Sequence, residues 1–347
     1  MKILVTGGAG FIGSHVAEFY AKKDEEVFVY DNLSRAELLC KDDKNGNYNW
    51  NYLKKYKNIT LIRGDVRDLE RLKDIVSKVD IVIHTAGQTA VTTSITNPLP
   101  DFTVNVCGSF NVLEAIRLSK KRPYLVFCST NKVYGENVNE IEVKKLKTRY
   151  EFAEGKYSKK GIPETLSIDH CKHTPYGCSK LAADLYMQDY AQLYDLKIGV
   201  FRMSCIYGTR QFGFEDQGWI AWFTIATLLK KPITIYGDGR QVRDILYVSD
   251  LVNAYDAFLK SDVKFGVFNT GGGVENTLSL LELLDKIQVK TKKKSKISFE
   301  DWRPSDQKVY ISDISKIKKQ LNWKPEVAPA QGIEKMIEWV EENKNIF

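Results

Sequence analysis

The chain has 347 residues, enough for one large or two smaller domains with a substantial core. Hydrophobic residues make up 43% and charged residues 27%, an ordinary globular balance, and no apolar run approaches the ~20 residues of a membrane span. The formal net charge of +7 owes much to runs such as Lys292-Lys293-Lys294 and Lys296, which read as a solvated face; a nucleic-acid surface would call for a patterned basic stripe with aromatic support, and none is present.

The first strand begins at Lys2, which leaves no room for a signal peptide before it, so a cytoplasmic location is expected. The six cysteines, at 40, 107, 128, 171, 178 and 205, are scattered without metal-binding spacing and read as reduced thiols.

The opening stretch, MKILVTGGAGFIGS, runs from a short apolar strand, Ile3 to Val5, into glycines and then into a helix from Phe11 to Ala21. A buried strand, a tight turn and a helix N-terminus in that order suit a dinucleotide pyrophosphate. Gly7 supplies a backbone conformation closed to other residues, Gly10 allows close approach of the phosphates, and Gly13 lets the helix pack down on the strand. Gly8, Gly10 and Gly13 satisfy the same G-x-G-x-x-G spacing, so two registers overlap. Free N–H groups at the helix start face the anion.

A second strand, Val27 to Tyr30, ends at Asp31. A carboxylate about 20 residues past the glycines accepts from both hydroxyls of an adenosine ribose and repels a 2′-phosphate, which favours NAD over NADP. Arg35 lies close enough in sequence to contact a phosphate, which tempers that preference. The polar stretch 34–57 reads as a loop with a short helix. Strand three, Ile59 to Arg63, closes at Gly64-Asp65, where the Asp65 carboxylate is placed to accept from the adenine amine.

Leu69 to Lys78 has helical spacing, and Asp80 to His84 is strand four, followed by Ala86-Gly87-Gln88, small residues that suit a nearby cofactor. Phe102 to Leu118 reads as one long helix carrying Asn105. Strand five, Tyr124 to Cys128, leads into Ser129-Thr130, and Lys197 to Arg202 is strand six. Strands alternating with helices predict an α/β fold: a Rossmann-type, doubly wound parallel sheet with ligands at the carboxyl ends of its strands. The rhythm breaks after strand six. The expected division is a cofactor-binding domain of 1–205 plus about 240–262, and a smaller C-terminal α/β substrate lobe of 206–239 plus about 263–347.

Tyr176 and Lys180 lie four apart in TPYGCSKLAADLYMQDY, on one face of a predicted helix. A neighbouring ammonium and a nicotinamide cation favour phenolate, so the Tyr176 phenol is expected to be acidified into a usable base. Thr130 supplies a second hydroxyl to hold the reacting oxygen.

The motifs TGGAGFIGS, DNLSR, GDVRD, STNKVYG, PYGCSK and GDGRQVRDILYVSD resemble the extended short-chain dehydrogenase/reductases, the NAD-dependent epimerases and dehydratases of nucleotide sugars. The resemblance implies Thr130, Tyr176 and Lys180 as the catalytic set, with Lys180 also on the nicotinamide ribose. It implies cofactor contacts from Gly7, Gly10, Phe11, Ile12, Gly13, Asp31, Asn32, Ser34, Arg35, Asp65, Val66, Ala86 and Gln88. Arg243, in GRQVRD, is implied on the substrate diphosphate, where a guanidinium offers two aligned donors.

Dehydratases of this family carry Asp-Glu directly after the catalytic Thr; Asn131 and Lys132 stand there, which speaks against dehydration. A narrower set, STNKVYG, the insert at about 149–173, RMSCIYGTRQFGFEDQGWIAWF and RPSDQ, resembles the branch that epimerises C2 of CDP-linked 3,6-dideoxyhexoses. From that branch His173, Ser204, Arg210, Gln217 and Arg303 are implied as substrate contacts, His173 being equally readable as structural. A homodimer or homotetramer through the helices at 102–118 and 176–194 is likewise implied. Two alternatives stand beside this reading: a UDP-sugar 4-epimerase, and a non-catalytic NAD-binding regulator.

Overall fold

The computed structural model describes residues 1–35, 47–215 and 217–347. Cys40 and the rest of 36–46, part of the expected 34–57 loop, lie outside the described residues; within 34–57 a helix at Tyr48–Leu53 is observed.

The main body is a seven-stranded sheet. Its strands are β1 (Lys2–Thr6), β2 (Glu26–Asp31), β3 (Ile59–Arg63), β4 (Ile81–His84), β5 (Tyr124–Thr130), β8 (Ile198–Met203) and β12 (Phe265–Thr270), in the order β12-β8-β5-β4-β1-β2-β3. Every pairing is parallel. Near-continuous burial of Ile3-Leu4-Val5, Val82-Ile83 and Leu125–Phe127 explains why: parallel strands are covered on both faces and need no polar alternation.

One face is covered by α1 (Phe11–Ala21), α10 (Val248–Lys260) and α12 (Ser315–Leu321), through Val16, Ala17, Tyr20, Leu251, Phe258 and Ile317. The other is covered by α3 (Leu69–Val76), α6 (Gly108–Leu118) and α8 (Pro175–Leu193), through Leu72, Val112, Ile116, Ala183 and Met187. The direction of winding reverses between β1 and β4. A crevice for a ligand opens at such a switch point, at the strands' carboxyl ends.

A smaller unit gathers β9 (Cys205–Tyr207), β11 (Val242–Tyr247), β13 (Thr277–Ser279) and β15 (Val309–Tyr310) into one sheet, and β10 (Ile233–Tyr236) with β14 (Ile297–Glu300) into another. Helices α9 (Trp219–Leu228), α11 (Leu280–Thr291) and α13 (Pro329–Glu342) pack their apolar faces there. Among the described residues no helix is long and apolar enough to cross a membrane.

The expected boundary at about 263 needs correction. Phe265–Thr270 is the edge strand of the large sheet, in register with Ile198–Met203, and Ile317 packs into the large-sheet core. The returning segment divides as well: β11 belongs to the small sheet, and only α10 lies on the large one. The expected single helix 102–118 is three pieces: a short α5 (Pro98–Phe102), a π-helical turn at Thr103–Cys107, and α6. The reason lies at Asn105. Its amide is drawn inward to Gln88 O, Asp101 Oδ1 and Ser179 Oγ, and it accepts from Gln88 N–H, so the wider turn coincides with bonds to two segments remote in sequence. In the insert 149–173, β7 (Tyr150–Phe152) pairs with β6 (Val143–Lys145) just ahead of it, and the short α7 (Lys156–Lys160) follows.

Candidate active site

The glycine turn meets β4 head-on. Gly7 has φ +69°, and a Cβ on it would sit 2.5 Å from Ala86 N. A Cβ on Gly13 would sit 2.3 Å from Gly7 O. Backbone therefore packs against backbone at the switch point with no side chain between. Gly10 is the N-cap of α1 with no side-chain cap, so the first-turn N–H groups of Phe11, Ile12 and Gly13 stay open toward the crevice. This cradle fits a pyrophosphate. The Phe11 ring stands edge-on to His15, and Ile12 packs toward the core.

Asp31 closes β2. Its Oδ2 accepts from Ala9 N at 2.9 Å and its Oδ1 from Leu33 N at 2.8 Å, which fixes the carboxylate at the crevice edge. Burial raises its pKa, and those two bonds with nearby Arg35 oppose the rise. Each oxygen keeps a lone pair for a ribose hydroxyl. Arg35 donates to Phe212 O at 3.4 Å. Asn32 bonds Asp65 and accepts from Ser34 N. The Asp65 carboxylate is also gripped by Arg67 at 2.9 and 2.6 Å, which holds it down to about 2. Val66 turns its side chain into the core. Gln88 donates from its amide to Ala90 O, while its Oε1 is buried without a partner.

Thr130 ends β5, and α8 starts sharply beside it. Thr174 caps the helix by accepting from Gly177 N, and Pro175 occupies the first turn. Tyr176 is therefore fixed at the helix mouth, its own N–H donating to Ser94 Oγ at 3.1 Å. Thr130 lies near enough to its phenol to favour the phenolate form. One turn on, the Lys180 ammonium donates to Cys128 O at 2.6 Å and lies 4.3 Å over the Phe127 ring. Burial lowers Lys180 to about 8.

The expected acidification of the phenol is not met by the protein's own groups. Burial pushes Tyr176 up to about 12; Thr130 pulls it down, and Asp101 adds to the rise. Lys180 is not among the groups that lower it; its ammonium donates to the Cys128 carbonyl.

The implied substrate contacts divide. Arg243 and Arg303 converge on the loop 303–307: Arg243 donates to Asp306 Oδ1 and Gln307 O, both at 2.6 Å, while Arg303 lies 3.9 Å over the Tyr236 ring and donates to Glu215 O. Gln217 bridges to Thr89 Oγ1, in the loop after β4. Arg210 is placed elsewhere, buried against Glu18 of α1 at 2.6 Å. Ser204 donates to Asp244 inside the small sheet, and His173 Nε2 lies 3.1 Å from Ile168 O. Sequence reasoning passed over Ser94, the Cys128 carbonyl and Gln307. Gln307 is the last residue of the quoted RPSDQ run and was the one with a local signal.

Comparison with known proteins places this geometry. The family model described as GDP-mannose 4,6 dehydratase matches residues 4–336. A CDP-paratose 2-epimerase from Salmonella typhi is 39% identical over 348 residues, 98% of this chain and 99% of that protein. A UDP-glucuronate 4-epimerase from Thermodesulfobacterium geofontis is 32% identical over 98% of this chain and 96% of that protein. Among solved structures, the UDP-glucuronic acid 4-epimerase of Bacillus cereus, in complex with UDP-glucuronic acid and NAD, superposes with a TM-score of 0.82 at 27% identity, covering 99% of this chain and 100% of that one.

Proposed function

From its membership of the GDP-mannose 4,6-dehydratase family, the extended short-chain dehydrogenase/reductases to which this chain belongs, we propose that it is an NAD-dependent nucleotide-sugar epimerase, converting CDP-paratose to CDP-tyvelose at C2. The observation that carries the chemistry is the Tyr176 phenol within reach of Thr130 at the end of β5, with Lys180 one turn along. The sugar and base are supported by the 39% identity to the Salmonella enzyme over nearly the whole chain.

The glycine turn and Asp31 hold NAD, which supplies the acceptor and donor for transient oxidation of the sugar to a ketone and its re-reduction. Tyr176 takes the proton from the reacting hydroxyl. Thr130 holds that oxygen in place. The ketone turns within the site, and Tyr176 returns the proton as the opposite face is reduced. Asn131, bonded to Gln307, and Lys132 provide no carboxylate pair for eliminating water. We place the protein in the cytoplasm. Exposed Phe102, Leu185, Tyr186 and Leu193 on α5 and α8 suit a homodimer.

The test is conversion of CDP-paratose by purified protein without added NAD. Turnover is expected, and Tyr176→Phe is expected to lower kcat about 10²- to 10⁴-fold. No turnover there, with turnover of UDP-glucose or UDP-glucuronate at C4, would establish the second reading. That reading has its own support in the fold and co-crystallised ligands of the Bacillus cereus enzyme. An unaffected Tyr176→Phe would leave only a non-catalytic NAD-binding role.

A further inference from the structure

We propose that Lys132 holds the substrate's diphosphate directly beside Thr130 and so sets C2, the carbon next to the phosphate-bearing one, against Tyr176. The inference rests on the epimerase reading above. Lys132 follows Thr130 by two residues, and its N–H donates to Thr130 Oγ1 at 3.3 Å. Its ammonium reaches across the crevice to Ser305 O at 3.3 Å. The same loop takes Arg243 at its next two residues, on Asp306 Oδ1 and Gln307 O. Asn131 donates to Gln307 Oε1 at 3.2 Å, and the Gln307 Nε2 donor is buried without a partner. Lys132, Arg243 and the loop's own Arg303 thus stand against two carboxylates, Asp306 and Glu136, beside an open amide donor. That excess of positive charge and donors suits an anion.

The register follows from sugar chemistry. In a nucleotide sugar the diphosphate is attached at C1. A C2 hydroxyl bound by Thr130 leaves the phosphate one carbon away, within reach of an ammonium two residues along the chain. A C4 hydroxyl bound there would put the phosphate on the far side of the ring. The remaining electrostatics agree. Burial depresses Lys132 to about 8, with Asp306 opposing and Arg243 adding to the fall; Glu136, bonded to Ser305 Oγ, is the second carboxylate at this loop. An ammonium so poised gains by taking an anion.

Lys132→Met and Lys132→Arg test this through calorimetric binding of CDP. Lys132→Met is expected to weaken CDP about 10- to 150-fold at pH 7. Lys132→Arg is expected to restore most of the loss. Wild-type affinity should fall as pH rises past 8, and the fall should vanish in Lys132→Met. Bound NAD, read by absorbance, and the unfolding temperature should stay unchanged, since a residue that merely stapled Ser305 would alter folding before it altered the pH profile. CDP binding by Lys132→Met equal to wild type at pH 7 overturns the proposal. Wild type that binds UDP and turns over at C4 overturns the register and the C2 reading together. Wild type that turns over CDP-paratose while Lys132→Met keeps full CDP affinity overturns the proposal alone.

Discussion

Replacing Arg210 with Met separates two roles for one residue. The sequence pattern makes Arg210 a substrate contact; the structure buries it against Glu18 at 2.6 Å, its guanidinium 4.2 Å from the Tyr52 ring centroid. Removing one partner of a buried ion pair costs about 3–5 kcal/mol, because the other charge is left in a poorly solvating interior. Here the lower end applies. Glu18 keeps hydrogen bonds from Tyr52 and Tyr56, both at 2.8 Å, and the Lys22 ammonium. Burial alone would raise the Glu18 carboxyl, but Arg210 and those donors hold it well below the usual range. A carboxyl depressed on folding stabilises above its unfolded value of about 4.3 and loses that contribution as pH falls. Urea unfolding of Arg210→Met should therefore show a deficit of about 3 kcal/mol at pH 7 that shrinks below about pH 4.3, with KM changed little. Unaltered unfolding together with a tenfold rise in KM would refute the buried-pair account and return Arg210 to the substrate.

Gly13→Ala places a methyl 2.3 Å from Gly7 O and 2.7 Å from Gly8 Cα, so the turn must open; purified protein should lose its bound NAD by mass spectrometry, and full retention would refute the cradle. Leu185→Glu sets a charge on an exposed apolar helix face and should shift a wild-type dimer to monomer by light scattering; a wild type already monomeric removes that interface. The Tyr176 phenol, near 12 in the protein alone, should make kcat rise with pH from 7 to 9, and a flat profile would show a base of another kind.

The sequence was most legible where the chemistry is local. The strand, glycine turn and helix at Lys2–Ala21 depend on neighbours a few residues apart, as do the cap at Thr174 and the spacing of Tyr176 and Lys180. What escaped it was set by distant partners. Phe265–Thr270 is a sheet strand only because Ile198–Met203 lies beside it, and its short GVFNT run carries no mark that tells a main-sheet strand from a lobe strand. Asn105 breaks its helix for bonds to Gln88 and Ser179, remote in sequence. Arg210 and Glu18 are 192 residues apart, so no spacing rule reveals that one neutralises the other.

On the proposed mechanism Tyr176 serves as base and then as acid. In the protein alone the phenol is a poor base, because burial favours its neutral form and Asp101 adds to the rise. A positive charge entering the crevice would lower the phenol from there. NAD held by the glycine turn and Asp31 would supply that charge, so Tyr176 would take the proton only with the oxidised cofactor in place. Loss of that charge on reduction would leave the phenol neutral and holding the proton until it is returned.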